Sequence, residues 1–454
     1  MERFDVCILG AGPGGYKAAL ILAKNGKKVC LIEKDENGIG GTCLNEGCIP
    51  AKNFLELASY IKKMSYFNTC GVLGKIDNLD ILALRKKTVS ILDVLRKGIK
   101  IDLQKTGVTL KYSEARFISS NEVEIKKTKE VISADKFIIA TGSLHREHPI
   151  LKVDKKYIIS SKEVFKLEKI PQKILIIGAG AIGCEFANFF NAVGSEVHLA
   201  EFTPSILPLE DSDVSSTVQR EFKKQGIKID TAINAISYKI KNDEIFIEFE
   251  SKKGSQVFSY DKVLISIGRS PNTKELNVTA AKVELNERDF IKVDSSLRTT
   301  NQNIFAIGDV IATPSLAHQA YYEAKKVAFE ILGFETLKYS VTPNVTFTTP
   351  QVGSVGKNEK ILKEEGREFV VKKLFMKSLG MAKIKGDDSG FVKLLLDNDK
   401  QILLGASIVG YDATEVINQV AICLNTKQNI KEINSMIFAH PTMSESFSHL
   451  VEYI

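Results

Sequence analysis

The chain has 454 residues, 44% of them hydrophobic and 26% charged, with a formal net charge of +7. That is enough apolar chain for about two to four packed domains, in the proportions of an ordinary globular protein. The basic excess is scattered, and its densest runs, Lys62-Lys63 and Lys126 to Lys129, read as solvated faces rather than a nucleic-acid surface. No apolar run reaches the roughly 18 residues of a membrane span.

The N-terminus opens directly into a strand-like run, Phe4 to Leu9, with no basic leader, so the expected location is the cytoplasm. Next comes Gly10-Ala-Gly12-Pro-Gly-Gly15, a helical stretch to Lys24, and a second strand, Lys28 to Ile32, ending at Glu33. The same design recurs. A strand at Lys173–Ile177 leads through Gly178-Ala-Gly180-Ala-Ile-Gly183 into a helix to about Val193, and the strand Glu196 to Ala200 ends at Glu201. The acid follows the third glycine by the same interval in both copies, Gly15 to Glu33 and Gly183 to Glu201. A lone glycine motif is weak, but a strand before it, a helix after it and a trailing acid are the context of a dinucleotide fold. The glycines allow a tight turn, close approach of a pyrophosphate and close helix packing. The helix N-terminus offers unpaired N–H groups to phosphate, and the acid accepts from ribose hydroxyls. Two such folds suggest two nucleotides exchanging electrons.

Seven cysteines, an odd count, do not describe a secreted disulfide framework. Cys7, Cys30, Cys70, Cys184 and Cys423 lie singly in apolar surroundings and read as buried thiols. Cys43 and Cys48 differ, sharing the segment Gly40-Gly-Thr-Cys43-Leu-Asn-Glu-Gly-Cys48-Ile-Pro-Ala-Lys52. Zinc needs about four ligands, no second Cys or His pair stands nearby, and no metal site is expected. A helix over about Ala51 to Lys62, with Pro50 near its first turn, would put Cys48 at a helix N-terminus, where thiolate is stabilised. Four intervening residues on a coil-to-helix bend can bring two sulfurs within bonding reach.

After the second fold, the strand Val263 to Ile267 leads into Gly268-Arg-Ser-Pro-Asn272, and Ile304-Phe-Ala-Ile ends in Gly308-Asp309. From about Tyr339 the pattern becomes strand-like segments at Val341–Phe347, Phe369–Phe375 and Phe391–Leu396, then a helix at about Ala413–Leu424. The expected class is α/β, with two Rossmann-like dinucleotide-binding domains and a C-terminal α+β domain. Expected boundaries are 1–144 for the first part of one dinucleotide domain, 145–268 for the second, 269–338 for a return to the central domain and 339–454 for the last domain.

Taken in order, the cysteine segment, Ala140-Thr-Gly-Ser143, Gly268-Arg269, Gly308-Asp309 and His440-Pro-Thr-Met-Ser-Glu445 resemble the pyridine nucleotide-disulfide oxidoreductases over essentially the whole chain. The resemblance implies FAD for the first dinucleotide domain, NAD for the second and a dimerisation role for the last domain. It also implies a redox-active Cys43–Cys48 disulfide and an acid–base pair, His440 with Glu445. Lys52 matches a lysine lying against the flavin ring, and Glu185 its salt-bridge partner. It assigns Gly10, Gly12, Gly15, Glu33, Gly41, Thr42, Lys52, Ala115, Thr141, Gly142, Ser143, Asp309 and Ala317 to FAD. Gly178, Gly180, Ile182, Gly183, Glu185, Glu201, Ile233 and Gly268 go to NAD. His318 reads as structural or flavin-adjacent, and His145, His148, His198 and His449 as surface or packing residues.

Within the family, the lipoamide branch fits best. Glu201 stands where NADPH-using reductases carry a basic residue, and the ending Val451-Glu-Tyr-Ile454 lacks an extra cysteine pair. Leu316-Ala-His318-Gln-Ala320 and Leu404-Gly-Ala-Ser-Ile-Val-Gly410 also resemble that branch. Four positions depart from the family: Glu46 between the cysteines, Gln351 after Thr349-Pro350, and Tyr321 and Tyr322 in a commonly acidic stretch. The implied reaction is oxidation of protein-bound dihydrolipoamide with NAD+, by a homodimer whose lipoyl arm comes from another protein. The alternatives are an NADH-dependent reductase of another small disulfide, or chiefly an assembly subunit of a lipoyl-dependent complex.

Overall fold

A computed structural model describes residues 2–72, 79–251, 254–335, 337–338, 341–398 and 402–451. The expected boundary at 338/339 and the tail 452–454 touch residues outside this set. The chain forms two compact units. One comprises Met1–Ala51, Leu82–Arg146 and Arg269–Tyr339, and the other Lys52–Ile81, Glu147–Gly268 and Ser340–Ile454.

The first unit is built on a seven-stranded sheet. Its parallel part runs Thr109–Tyr112, Val29–Glu33, Glu2–Leu9, Val131–Ile139 and Ile304–Ala306, and an antiparallel pair, Glu122–Ile125 and Ala115–Ser119, extends from Val131–Ile139. The central strands bury both faces, so they read as continuous apolar runs such as Val6 to Leu9 and Phe137 to Ile139. Chain order reverses between Glu2–Leu9 and Val131–Ile139. That switch point is where an open α/β sheet leaves a crevice for a ligand.

The second unit contains another parallel sheet, ordered Lys228–Thr231, Glu196–Glu201, Lys173–Ile177, Lys262–Ile265 and Ile158–Ser160. A three-stranded antiparallel ribbon, Asn234–Lys241, Glu244–Ser251 and Gly254–Tyr260, is inserted before its fourth strand. A five-stranded antiparallel sheet follows in the C-terminal part, packed on the helix Ala413–Thr426. This is the expected α/β architecture with two Rossmann-like folds and an α+β module. Lys393 from that last sheet is wholly buried. Its ammonium lies 2.7 Å from Asp211 Oδ2, 2.8 Å from Asp213 Oδ1 and 2.9 Å from Glu359 Oε1, tying the parallel-sheet part to the C-terminal part.

Several local expectations change. The helix after Cys48 runs Cys48–Thr69, well past Lys62. Lys62 is no solvated cation, because its ammonium donates to Asn188 Oδ1 at 2.6 Å and Gln225 Oε1 at 2.5 Å. Cys70 is exposed rather than buried. Cys7 and Cys30 are not single, since they face each other in register on neighbouring parallel strands. Among the described residues no helix is long and apolar enough to cross a membrane.

Candidate active site

In the first unit, Gly10 ends the strand Glu2–Leu9 with φ 99°, and a Cβ there would stand 2.4 Å from the Ala140 carbonyl oxygen across the switch point. A Cβ on Gly15 would stand 1.8 Å from the Gly10 oxygen, so only glycine lets this helix sit against its own strand. The helix Pro13–Lys24 starts after Gly12 with no side-chain cap, leaving its N–H groups to whatever lies in the crevice. Glu33 is buried, and its oxygens accept from the Ala11 N–H at 2.8 Å and the Lys34 N–H at 3.0 Å. Burial pushes its pKa up against those bonds. The carboxylate keeps lone pairs for a ribose diol. Uncapped helix, glycine cradle and fixed acid fit a dinucleotide.

The redox segment packs on this cradle. A Cβ on Gly41 would lie 2.6 Å from the Gly12 Cα. Cys43 is carried by a short helix, Gly41–Glu46, rather than the coil expected from sequence. The helix is entered through Gly40 in the left-handed region. Cys48 is the first residue of the next helix, and both cysteines are half-buried. Asn45 between them was not singled out from sequence. Its side-chain N–H2 donates to the carbonyls of Gly41 at 2.9 Å and Ile39 at 3.0 Å, while its Oδ1 accepts from Arg96 Nη2 at 2.9 Å. Arg96 is thus a remote clamp on the loop. Thr42 is exposed at the start of the short helix.

Ser143, Arg269 and Asp309 form a knot in the same unit. The Ser143 hydroxyl donates to Asp309 Oδ2 at 2.5 Å, and Arg269 donates to Ser143 Oγ and to its carbonyl, both at 2.6 Å. Thr141 Oγ1 donates to the Asn272 carbonyl at 2.8 Å, and the Asn272 N–H to the Gly142 carbonyl at 2.9 Å. Beneath the Gly308-Asp309 turn lies Glu323, also missed, which accepts the Gly308 N–H at 2.6 Å and whose pKa burial pushes up. Ala317 begins the helix Ala317–Leu332, and Ala115 begins the strand Ala115–Ser119.

The second unit repeats the cradle. Gly178 has φ 97°, and its Cβ would stand 2.6 Å from the Ser266 oxygen. Gly183 sits as close to Gly178 as Gly15 does to Gly10, and Gly180, with nothing within 4 Å of an added Cβ, faces open space. Buried Glu201 accepts from Ala179 N–H at 2.6 Å and Thr203 N–H at 2.7 Å, and the buried Ile233 donates its N–H to the Glu201 carbonyl. This site fits a second dinucleotide. Ile182 lies half-buried in the first turn of the helix Ala181–Ala192, and Gly268 is exposed.

On that helix, Glu185 is buried and takes the Lys52 ammonium on both oxygens, with a third bond from the Phe347 N–H at 3.0 Å. Lys52 also lies 4.5 Å from the Phe347 ring centroid. Near the C-terminus, His440 Nδ1 stands 2.6 Å from Glu445 Oε1, while Oε2 of Glu445 accepts the Thr442 N–H at 2.7 Å. Burial opposes the Glu445 charge, but the Thr442 N–H and the His440 ring outweigh it and hold the carboxyl below its ordinary range. The His440 side chain is 80% exposed in the single chain.

The site residues thus gather in four groups: Cys43 and Cys48 with the first cradle, the Ser143 knot, Lys52 with Glu185 beside the second cradle's helix, and His440 with Glu445. His318 is exposed at the start of its helix, whereas His198 is buried between Tyr260 and Asp230. Asp211, Asp213 and Glu359 converge as metal ligands would, but the Lys393 ammonium occupies their centre.

Residues 4–324 match the pyridine nucleotide-disulphide oxidoreductase family, and residues 342–451 match its dimerisation domain. The dihydrolipoyl dehydrogenase of Chlamydia muridarum is 35% identical over 98% of this chain and 95% of its own length. That of Bacillus subtilis is 33% identical over 97% and 94%. Among solved structures, the HOCl-induced flavoprotein disulfide reductase RclA from Escherichia coli superposes with a TM-score of 0.89 at 28% identity, over 99% of this chain and 100% of that one. Two dinucleotide cradles, a cysteine pair packed on the first of them and a matching dimerisation domain lead to one conclusion: the chain belongs to the class I pyridine nucleotide-disulphide oxidoreductases, whose members are FAD-dependent and use a nicotinamide nucleotide.

Proposed function

We propose that this enzyme oxidises a dihydrolipoyl group carried on another protein, using the Cys43–Cys48 disulfide, FAD and NAD+. The observation that carries the reading is full-length similarity to proteins named dihydrolipoyl dehydrogenase. Glu201 supports NAD+ over NADP+, because a buried carboxylate at the ribose position repels a 2′-phosphate.

Glu445 orients His440 through Nδ1, leaving Nε2 to take the proton from a substrate thiol. The substrate thiolate attacks Cys43, the Cys43–Cys48 bond breaks, and Cys48 leaves as thiolate at the start of its helix, where the N-terminal dipole favours it. The second substrate thiol then attacks the substrate sulfur bound to Cys43, closing the substrate disulfide and releasing Cys43. The glycine turn at residues 10–15 with Glu33 would hold FAD and that at residues 178–183 with Glu201 the nicotinamide nucleotide, the two together supplying two-electron and hydride chemistry to the cysteine pair. Lys52, fixed by Glu185, is the cation assigned to the flavin ring. The dimerisation-domain match supports a homodimer, in which His440 serves the partner subunit's Cys43.

A second reading, reduction of another disulfide by NADH, draws on the similarity to the Escherichia coli disulfide reductase and on Glu46 beside the cysteines. Steady-state turnover of purified holoenzyme decides between them. The proposal expects NAD+ reduction by dihydrolipoamide and faster reduction by a lipoylated protein. Slow turnover with both, beside rapid NADH oxidation by a different disulfide, establishes the second reading.

A further inference from the structure

Tyr16 lies one turn into the helix Pro13–Lys24, and Tyr321 one turn into the helix Ala317–Leu332. Their hydroxyl oxygens are 2.7 Å apart, and their rings meet edge to face with centroids 6.0 Å apart. One phenol therefore donates to the other, whichever way the bond runs. Two hydroxyls sharing one hydrogen bond always retain one O–H, and the first bond polarises that remaining donor.

The close contact of Gly12 with Gly41 sets the first turn of the tyrosine helix against the short helix that carries Cys43. The chemistry agrees with that placement. Burial raises the pKa of both phenols, and negative charge on Cys43 raises both further. The ionisable groups that act most strongly on the pair are the phenols themselves, Cys43 on its short helix and, for Tyr321, Cys48 at the start of the following helix. Both phenols thus stay protonated through the neutral range, as donors beside a sulfur that must carry negative charge.

We infer that Tyr16 and Tyr321 form a two-phenol relay whose spare O–H stabilises the Cys43 thiolate, making them positioning residues for the thiol that meets substrate. This rests on the reading of Cys43 as that thiol. When the substrate disulfide closes, the bond between the substrate sulfur and Cys43 breaks and its electron pair goes to the Cys43 sulfur. A donated O–H lowers the basicity of that leaving group, and a less basic thiol leaves faster. No proton is transferred by the phenols, so they return unchanged after each cycle. Tyr321, at 36% exposure, also leaves the relay accessible from solvent and hence to substrate.

The test is the pH dependence of Cys43 alkylation by iodoacetamide in holoenzyme reduced with one equivalent of dithionite, located by peptide mass, for wild type, Tyr16→Phe and Tyr321→Phe. Each Phe keeps the ring and removes one hydroxyl. The expected result is a rise of about one pH unit in the alkylation midpoint for the variant that loses the phenol donating to sulfur, the size of one charge-assisted hydrogen bond, and a smaller rise for the variant that loses only the polarising phenol. Turnover should slow without a matching rise in KM. Midpoints identical to wild type in both variants, with unchanged flavin spectra, overturn the relay. The assay does not depend on the lipoyl assignment, since no lipoyl substrate enters it. If reduction exposes no new thiol at Cys43 even in wild type, it is the disulfide reading that fails, and the relay falls with it.

Discussion

Lys52 donates to both carboxylate oxygens of Glu185, at 2.8 and 2.9 Å, so the lysine's charge is held at one place by a buried and nearly saturated acceptor. Among the described residues, the Phe347 N–H is the third donor to that carboxylate. Lys52→Met should leave Glu185 buried with a single bond and destabilise the protein by about 1–2 kcal/mol, at the lower end because the Lys52 side chain is partly exposed. Adding Glu185→Gln should recover part of that loss. Urea denaturation of the four proteins in this cycle measures the coupling, and strictly additive costs would mean that the pair contributes nothing. The flavin reduction potential should also fall in Lys52→Met if the cation stands beside the ring.

The two cysteines should be spectroscopically distinct. Cys48 starts a 22-residue helix, while Cys43 is the third residue of a six-residue one. Two-electron reduction of wild type should produce a long-wavelength absorbance from a Cys48 thiolate beside the flavin. Cys43→Ser should keep a band of that kind and Cys48→Ser should lose it, and both should lose lipoamide turnover. The opposite pattern of bands reverses the two roles.

Both glycine cradles could be read from sequence because everything they need is local: a strand, a tight loop, a helix and an acid on the next strand. The helix around Cys43 could not. Six residues entered through left-handed Gly40 give too little apolar periodicity to register. Arg96 and Glu323 carry no sequence signal for another reason, and Tyr321 reads only as a departure from the family, not as the partner of Tyr16. Their partners Asn45, Gly308 and Tyr16 are brought to them by packing between elements, and a surface arginine or a helical tyrosine carries no mark of it. Lys62 reads as solvated because it sits beside Lys63 in a short basic run, and the folded helix shows Asn188 and Gln225 closing over it.

Coenzyme preference should follow Glu201. Its two oxygens already hold the Ala179 and Thr203 N–H groups, so the carboxylate cannot swing away from a 2′-phosphate without breaking the loop. Specificity constants should strongly favour NAD+. Glu201→Gln should narrow the gap by about tenfold while weakening both coenzymes, because one of the two acceptor oxygens becomes an amide. Equal constants for both coenzymes in wild type defeat the assignment.

Burial pushes Lys62 down to about 7, against the pull of nearby Asp387, whose own carboxyl burial pushes up to about 6. The signs differ. An unfolded lysine keeps its proton to about pH 10.5, so between pH 7 and 10 the unfolded chain holds a proton the native one has shed, and stability rises with pH. For Asp387 the native state holds the extra proton between about pH 4 and 6, and stability falls as pH rises through that window. Lys62→Met should remove the rise between pH 7 and 9.5, expected at about 1–3 kcal/mol. Urea midpoints at the two pH values measure it, and an unchanged slope in the variant removes Lys62 as its source.

The acid–base pair should act across the dimer. The 2.6 Å bond between His440 and Glu445 fixes the ring, yet the imidazole is 80% exposed in the isolated chain, a costly place for a catalytic base unless another surface covers it. Two-fold pairing through the matched dimerisation domain would supply that surface and complete two sites at once. The alternative is that His440 only caps its own turn, with Glu445 starting the helix Glu445–Val451. Subunit mixing separates the two. Cys48→Ser and His440→Ala chains are each inactive alone. In a mixed dimer with shared sites, one site carries both lesions and the other carries neither, so activity should return to about half the wild-type value per mixed dimer. Glu445→Gln should behave like a weaker His440 lesion in the same mixture, because it leaves the ring in place but poorly oriented. Mixed dimers that form, as shown by native mass spectrometry, yet stay inactive place His440 outside the chemistry of the partner subunit's Cys43.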